Sequence, residues 1–142
     1  MVGPARRFKT ADIAQQVVGG FLLAGPFVVT AEVWQLAASM NALQALLTTA
    51  IVFGIGYGAL YKADNRDPDR EADLGGVPVR FLSLMAVAFG SVLLLALAFD
   101  APGTFLADLG VERARWAFVT AKAVTVGSVF SVVGAATADS VF

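Results

Sequence analysis

The stretch FLSLMAVAFGSVLLLALAF, residues 81–99, decides the fold of this 142-residue chain, because it has no charged side chain and only two serines as polar ones. A hydrocarbon core about 30 Å thick requires roughly 20 helical residues to cross it, and this run supplies nearly that number. Transmembrane β-strands are shorter and alternate apolar with polar side chains. The unbroken apolar run therefore predicts a membrane-spanning α-helix.

Three further apolar runs accompany this stretch. Hydrophobic residues make up 58% of the chain and charged residues 15%, so most of the sequence is suited to lipid rather than to water. The predicted spans cover about 13–36, 42–61, 81–99 and 116–138, which leaves two short ends and three connections. We therefore expect one all-α domain, residues 1–142, in which four transmembrane helices form a compact bundle in the cell membrane.

The distribution of basic residues predicts the orientation of this bundle. With four spans, both termini and the loop between the second and third spans share one side. Basic residues are enriched in cytoplasmic loops, so the more basic side is expected to be cytoplasmic and the topology N-in/C-in. The side with the termini carries Arg6, Arg7, Lys9, Lys62, Arg66, Arg70 and Arg80, against Arg113 and Arg115 on the other.

The absent residue types exclude several classes of function. The chain has no cysteine and no histidine, so disulfides, thiolate metal sites and imidazole-ligated haem or copper are not expected. It has no nucleophile–base motif, and the acidic loop at 62–78 lacks the EF-hand spacing. A net charge of −1 does not favour nucleic acid as a partner. We expect no enzyme activity, no cofactor and no metal.

The first span contains a helix breaker and a carboxylate. Pro26, after Gly25, donates no backbone hydrogen bond and clashes with the carbonyl one turn earlier, which predicts a kink. Glu32 lies about six residues from the middle of the run, roughly 9 Å along a helix and still within the hydrocarbon zone. A carboxylate there is costly and is a functional candidate by default. Thr30 and Gln35 flank it as further polar candidates.

The fourth span contains a lysine in the same half of the membrane. Lys122 lies about five residues from the middle of its run, which predicts an ion pair with Glu32 across the first and fourth spans. The functional interpretation is a gated or protonatable site. The alternatives are a structural salt bridge or a lysine that extends to the interface. A second polar set, with Asp139 as a further transport or ion-pair candidate, is expected at the opposite mouth of these helices: Asp12, Gln15, Gln16, Asp139 and Ser140.

Small residues recur at four-residue spacing in three spans. Such faces allow another helix to approach closely, either inside one bundle or at a seam between copies of the chain. The fourth span contains Ala123, Gly127, Ser131 and Ala135, the second contains Gly54 and Gly58, and the third contains Ala86 and Gly90.

One motif of the first span carries a family resemblance. The residues Gly25-Pro26 and Thr30-Ala31-Glu32-Val33-Trp34, followed late by Lys122 and Gly134-Ala135, resemble a family of prokaryotic integral membrane proteins described as a domain of unknown function. The resemblance covers most of the chain and is most specific in the GP…TxExW stretch. It implies a four-span architecture and singles out Glu32, but it implies no activity. Residues 31–33 are also locally similar to the first span of small multidrug transporters.

These features predict a small homo-oligomeric transporter or channel for an ion or small solute. Glu32 would be the protonatable or ion-contacting group and Lys122 its counter-charge. The alternative is a non-transporting accessory or scaffold subunit whose small-residue faces dock another membrane protein. The expected partners are the lipid bilayer, further copies of the chain and, in the alternative, a membrane subunit.

Overall fold

The computed structural model describes residues 8–63, 67–68 and 73–141. In these ranges the chain forms five α-helices, namely α1 (Thr10–Val28), α2 (Ala31–Ser39), α3 (Ala42–Gly58), α4 (Val79–Ala98) and α5 (Trp116–Val141). Helices α1, α4 and α5, and α3 together with the turn that continues it to Lys62, are long and apolar enough to cross a membrane. The prediction of an all-α chain with four such helices is confirmed.

Short irregular segments connect the helices. A π-helical turn, Ala59–Ala63, extends α3. Strands β1 (Asp73–Leu74) and β2 (Val77–Pro78) pair antiparallel, and the two glycines between them have positive φ angles, as a tight hairpin requires. A π-helical turn (Pro102–Leu106) and a 3-10 turn (Arg113–Arg115) lie between α4 and α5.

The basic residues Arg6, Arg7, Arg66 and Arg70, which support the predicted orientation, lie outside the described residues.

The first predicted span consists of two helices rather than one kinked helix. α1 ends at Val28, two residues beyond Pro26, and α2 begins after a gap of two residues. Nε1 of Trp34 donates to the carbonyl of Val28 at 2.9 Å, and Oγ1 of Thr30 donates to the carbonyl of Phe27 at 3.2 Å. A carbonyl without a partner is costly where water is absent. These two side chains therefore stabilise a full break that the sequence predicts only as a kink.

α5 is the central helix of the bundle. It supplies buried residues to an apolar cluster shared with α1, α2 and α4, and to a second cluster shared with α3 and α4. The small-residue stripe of α5 is buried between these helices: Ala123, Gly127, Ser131 and Ala135. A Cβ on Gly127 would lie 2.8 Å from Cγ1 of Val92. The stripe on α5 therefore serves packing within one copy of the chain.

α1 and α5 approach each other at backbone contact. A Cβ added to Gly19 would collide with the carbonyl oxygen of Gly134. In the same way, a Cβ added to Gly134 would collide with the carbonyl oxygen of Gly19. Oγ of Ser131 donates to the carbonyl of Gly20 at 3.0 Å. This contact aligns the beginning of α1 with the end of α5, which is where the largest polar cluster lies.

α3 lies at the periphery. Gly56 faces the bundle, where a Cβ would collide with the end of the Met85 side chain. Gly54 and Gly58 face outward, with open space where a Cβ would stand. On α4, Ala86 and Gly90 are also exposed. Thus the small residues predicted as packing positions fall into an inward group on α5 and an outward group on α3 and α4.

Candidate functional site

A buried arginine joins three helices at one end of the bundle. Arg80 is the second residue of α4, and its side chain is 1% exposed. Its Nη1 donates to both carboxylate oxygens of Asp139 at 2.7 and 2.9 Å, and its Nη2 lies 3.4 Å from Oδ2 of Asp12. The guanidinium carbon lies 5.1 Å from the ring centroid of Phe8. Arg80 therefore connects the first turn of α1 with the last turn of α5.

Two uncharged side chains extend this arrangement. Nε2 of Gln16 donates to Oδ2 of Asp139 at 3.2 Å, and Oγ of Ser83 donates to Oε1 of Gln16 at 2.7 Å. Gln16 is completely buried. The two oxygens of Asp139 are thus supplied with donors from α1 and α4. We name this set the Arg80 cluster; it comprises Asp12, Gln16, Arg80, Ser83 and Asp139.

The Arg80 cluster offsets two unfavourable helix-end charges. A cation at the N-terminus of α4 and an anion at the C-terminus of α5 each face the end of a helix dipole that has the same sign. Burial adds a desolvation penalty that becomes tolerable when the charges are paired and hydrogen-bonded. The contact between Arg80 and Asp139 meets both conditions. Asp12, in contrast, lies at the favourable end of α1, where it also accepts the backbone N–H of Lys9 at 2.8 Å.

Lys122 lies at the opposite end of the bundle and is 1% exposed. Its Nζ donates to the carbonyl of Met40 and lies 4.4 Å from the ring centroid of Phe118. Met40 directly follows α2. The ammonium group therefore sits at the negative end of the α2 dipole and satisfies a carbonyl that the helix leaves open. It ties the connection between α2 and α3 to α5.

The structure does not bring Glu32 and Lys122 together. Glu32 is in the first turn of α2 and is exposed, and in the described part of the chain it forms no hydrogen bond or ion pair. Lys122 bonds just beyond the last turn of the same helix. Ala31 and Ser39, the two ends of α2, are eight residues apart, which is about 12 Å at 1.5 Å per residue. An ion pair at matched depth requires one continuous first span, but α1 ends at Val28 and α2 begins only at Ala31.

The other predicted polar residues have different environments. Thr30 bonds within the break, so its hydroxyl has a structural partner. Gln35 is exposed on α2. Ser131 shares a hydrogen bond of 2.9 Å with Ser91 in the buried middle of the bundle. Gln15, in the predicted second polar set, has a buried Oε1 atom that accepts no hydrogen bond from any of the described residues.

The described cavities are apolar grooves on the flanks of the bundle. One of about 590 Å³ lies between α4 and α5 near Trp116. A second of about 430 Å³ lies between α2, α3 and α5, and a third of about 320 Å³ lies between α1 and α5. Among the described residues there is no group of three or more acidic side chains that could hold a metal ion. The buried charged side chains of the described structure, Arg80, Lys122 and Asp139, thus lie toward the two ends of the bundle and not in these grooves.

The sequence identified most members of the Arg80 cluster but not its centre. Asp12, Gln16 and Asp139 belong to the polar set predicted at one mouth of the first and last helices, and the structure brings these three together. Arg80 contributed only to the orientation argument. One signal could have revealed it: Arg80 and Ser83 are three residues apart and therefore share a helix face. No family model matches the chain, and neither a curated protein nor a solved structure matches it.

Proposed function

We propose that this protein is a small homo-oligomeric transporter or channel for an ion or small solute, with the Arg80 cluster as its charged site. The observation that carries the proposal is the ion pair between Arg80 and Asp139, almost fully buried at the ends of apolar helices. Ionisable groups in such positions are costly, and they commonly mark ion or solute pathways. Asp139 keeps the role of candidate ion-contacting group that its position in the sequence suggests.

The oligomeric part of the proposal follows from where the polar groups lie. In the described part of the bundle, the space between helices near the middle is filled by small side chains and by the Ser91–Ser131 pair. The grooves lie on the outside and are apolar. Near the middle of the bundle, a pathway for a polar solute would therefore run between copies of the chain, and it would meet the Arg80 cluster only at one end of the helices. The outward-facing Gly54 and Gly58 of α3 would allow a second helix to approach closely.

Flux from proteoliposomes tests this proposal. The purified chain would be compared with the variants Asp139→Asn and Glu32→Gln, each checked for helical content and for a single oligomeric peak. We expect Asp139→Asn to lose flux, because it removes the charge that the pathway contacts, and Glu32→Gln to retain it. Ser140→Ala, an exposed neighbour on the same turn, is the matched control. Full flux in folded Asp139→Asn would contradict the assignment of the site.

A second candidate function is a non-transporting accessory or scaffold subunit. The observation that favours it is the same open face of α3, combined with an Arg80 cluster whose members bond to one another and could be purely structural. In that case no common ion would give flux, and a membrane partner would co-purify in mild detergent. Gly54→Leu would release this partner, whereas Gly90→Leu on α4 would not.

The topology, the cell-membrane location and the family are proposed on the sequence features alone. We propose an N-in/C-in protein of the cell membrane, because the basic residues concentrate on the side of the termini. The absence of cysteine makes a direct test simple. Single cysteines at Lys9 and at Asp108 would be labelled with a membrane-impermeant maleimide in intact cells, and we expect label at position 108 alone. Membership in the prokaryotic family remains a proposal that rests on the GP…TxExW motif.

A further inference from the structure

The largest described groove is formed by side chains of unequal size on two neighbouring helices. On α5 the lining residues at four-residue spacing are small: Ala117, Ala121 and Thr125. On α4 they are large and apolar: Phe89, Leu93 and Leu97. Apart from Trp116 at the mouth, the α5 side chains that line the groove are no larger than valine, so an open groove of about 590 Å³ remains between the two helices.

The depth of the groove matches one leaflet of a bilayer. It begins at the connection between α4 and α5, where Pro102 and Trp116 line it, and ends at Phe89 and Thr125. Phe89 and Leu97 are eight residues apart, which corresponds to about 12 Å of helix. Half of a 30 Å hydrocarbon core is about 15 Å. With the connection between α4 and α5 at the membrane surface, as the predicted spans place it, the groove would end near the midplane and would have the depth of one acyl chain.

One cation, Arg113, stands at the mouth of the groove. The guanidinium carbon of Arg113 lies 5.0 Å from the ring centroid of Trp116, which itself lines the groove. Arg113 and Arg115 are both exposed. Asp108 and Glu112 belong to the same connection, but within the described residues neither forms an ion pair with these arginines. Both guanidinium groups therefore retain their capacity to bind an anion at the surface.

We propose that this groove binds an anionic phospholipid. One acyl chain lies between α4 and α5, and the headgroup phosphate contacts Arg113, which is held in place over Trp116. Guanidinium groups suit this role because they form paired hydrogen bonds with phosphate oxygens. The inference is independent of any transport activity, since it concerns the flank of the bundle near the Lys122 end and not the Arg80 cluster.

Tryptophan fluorescence in vesicles tests the proposal. The full chain would be reconstituted in phosphatidylcholine with increasing fractions of phosphatidylglycerol whose chains carry bromine, which quenches nearby indoles. The other tryptophan, Trp34, is 1% exposed. Its fluorescence is measured in the Trp116→Phe variant and subtracted from that of the unmodified chain, which leaves the signal of Trp116. We expect brominated phosphatidylglycerol to quench Trp116 at lower fractions than brominated phosphatidylcholine does, by about fivefold for one arginine at the surface.

Four variants separate the headgroup from the groove. Arg113→Gln should abolish the preference for phosphatidylglycerol, whereas Lys62→Gln, which removes an exposed cation at the opposite end of the bundle, should keep it. Ala121→Phe should fill the groove and weaken quenching by both lipids. Ala50→Phe adds the same volume to the exposed surface of α3 and should leave quenching unchanged.

Two outcomes would overturn the proposal. Equal quenching by the two lipids in the unmodified chain would show that the mouth does not recognise an anionic headgroup. A dimer that native mass spectrometry detects in the unmodified chain but not in Ala121→Phe would show that a second copy occupies the groove. Retention of phosphatidylglycerol by the unmodified monomer and its loss from Ala121→Phe would support the proposal, whether or not the protein transports an ion.

Discussion

At the Arg80 end of the bundle a buried cation is matched by two carboxylates from two other helices, whereas at the Lys122 end a buried cation is matched by a backbone carbonyl. The first arrangement crosslinks three helices that are long and apolar enough to cross a membrane. The second holds the connection between α2 and α3 against α5. The comparison shows that two buried cations in one bundle can have different roles, and that the difference depends on which partners they have rather than on burial.

Removal of the cation at the Arg80 end should have the largest effect. Arg80→Met leaves Asp139 buried without its counter-charge, so we expect a loss of about 3–5 kcal/mol in the free energy of unfolding. Circular dichroism during titration with a denaturing detergent would measure it. The double variant Arg80→Met/Asp139→Leu should be less destabilised than Arg80→Met, because no unpaired charge remains. A loss in the double variant equal to the sum of the losses in Arg80→Met and Asp139→Leu would show that the two side chains are not coupled.

Loss of the indole N–H at the helix break should have the next largest effect. Trp34→Phe leaves the carbonyl of Val28 without its donor in a buried position, which we expect to cost about 1–3 kcal/mol. The same detergent titration applies. Trp116→Phe is the matched control, because it removes an indole that donates to Val111 in a half-buried connection, where water can replace it. If both variants lose equal stability, the break is not a buried polar site.

Removal of the cation at the Lys122 end should have a smaller effect than at the Arg80 end. Lys122→Met removes a charge-assisted hydrogen bond to Met40 but leaves no buried carboxylate unpaired, so we expect about 1–2 kcal/mol. The loss of unfolding free energy in Lys122→Met, divided by the loss in Arg80→Met, measures how much the two ends of the bundle differ. A loss as large as that of Arg80→Met would indicate an acidic partner for Lys122 in the membrane.

Neutralisation of Glu32 should have the smallest effect on stability. Glu32→Gln alters an exposed side chain without an ion pair in the described structure, so we expect a change within about 0.5 kcal/mol. Thermal unfolding in detergent micelles would detect a larger one. If Glu32→Gln and Lys122→Met each cost several kcal/mol and are not additive, the two residues are paired after all.

The sequence predicts the helices well because their length is set by the membrane and their composition by lipid. The runs 42–61, 81–99 and 116–138 agree with α3, α4 and α5 to within three residues at each end, once the π-helical turn after α3 is included. The first span departs from the prediction because Pro26, Thr30 and Trp34 act together. Proline weakens the helix at this point. The full break is stable because the side chains of Thr30 and Trp34 reach the backbone carbonyls at the end of α1 and donate hydrogen bonds to them.

The sequence by itself determined that this chain has four membrane-length helices, a weak point near Pro26 and small residues on several helix faces. Each of these depends on local composition and on the helical period, which can be counted along the chain. The tertiary structure decided which charges meet. Depth along a span leaves the rotation of each helix unspecified, and a rotation of half a turn moves a side chain from lipid to the interior. The contact of Gly19 with Gly134 sets the approach of α1 to α5 and so places Asp12 and Asp139 about Arg80, while the break after Val28 separates Glu32 from Lys122.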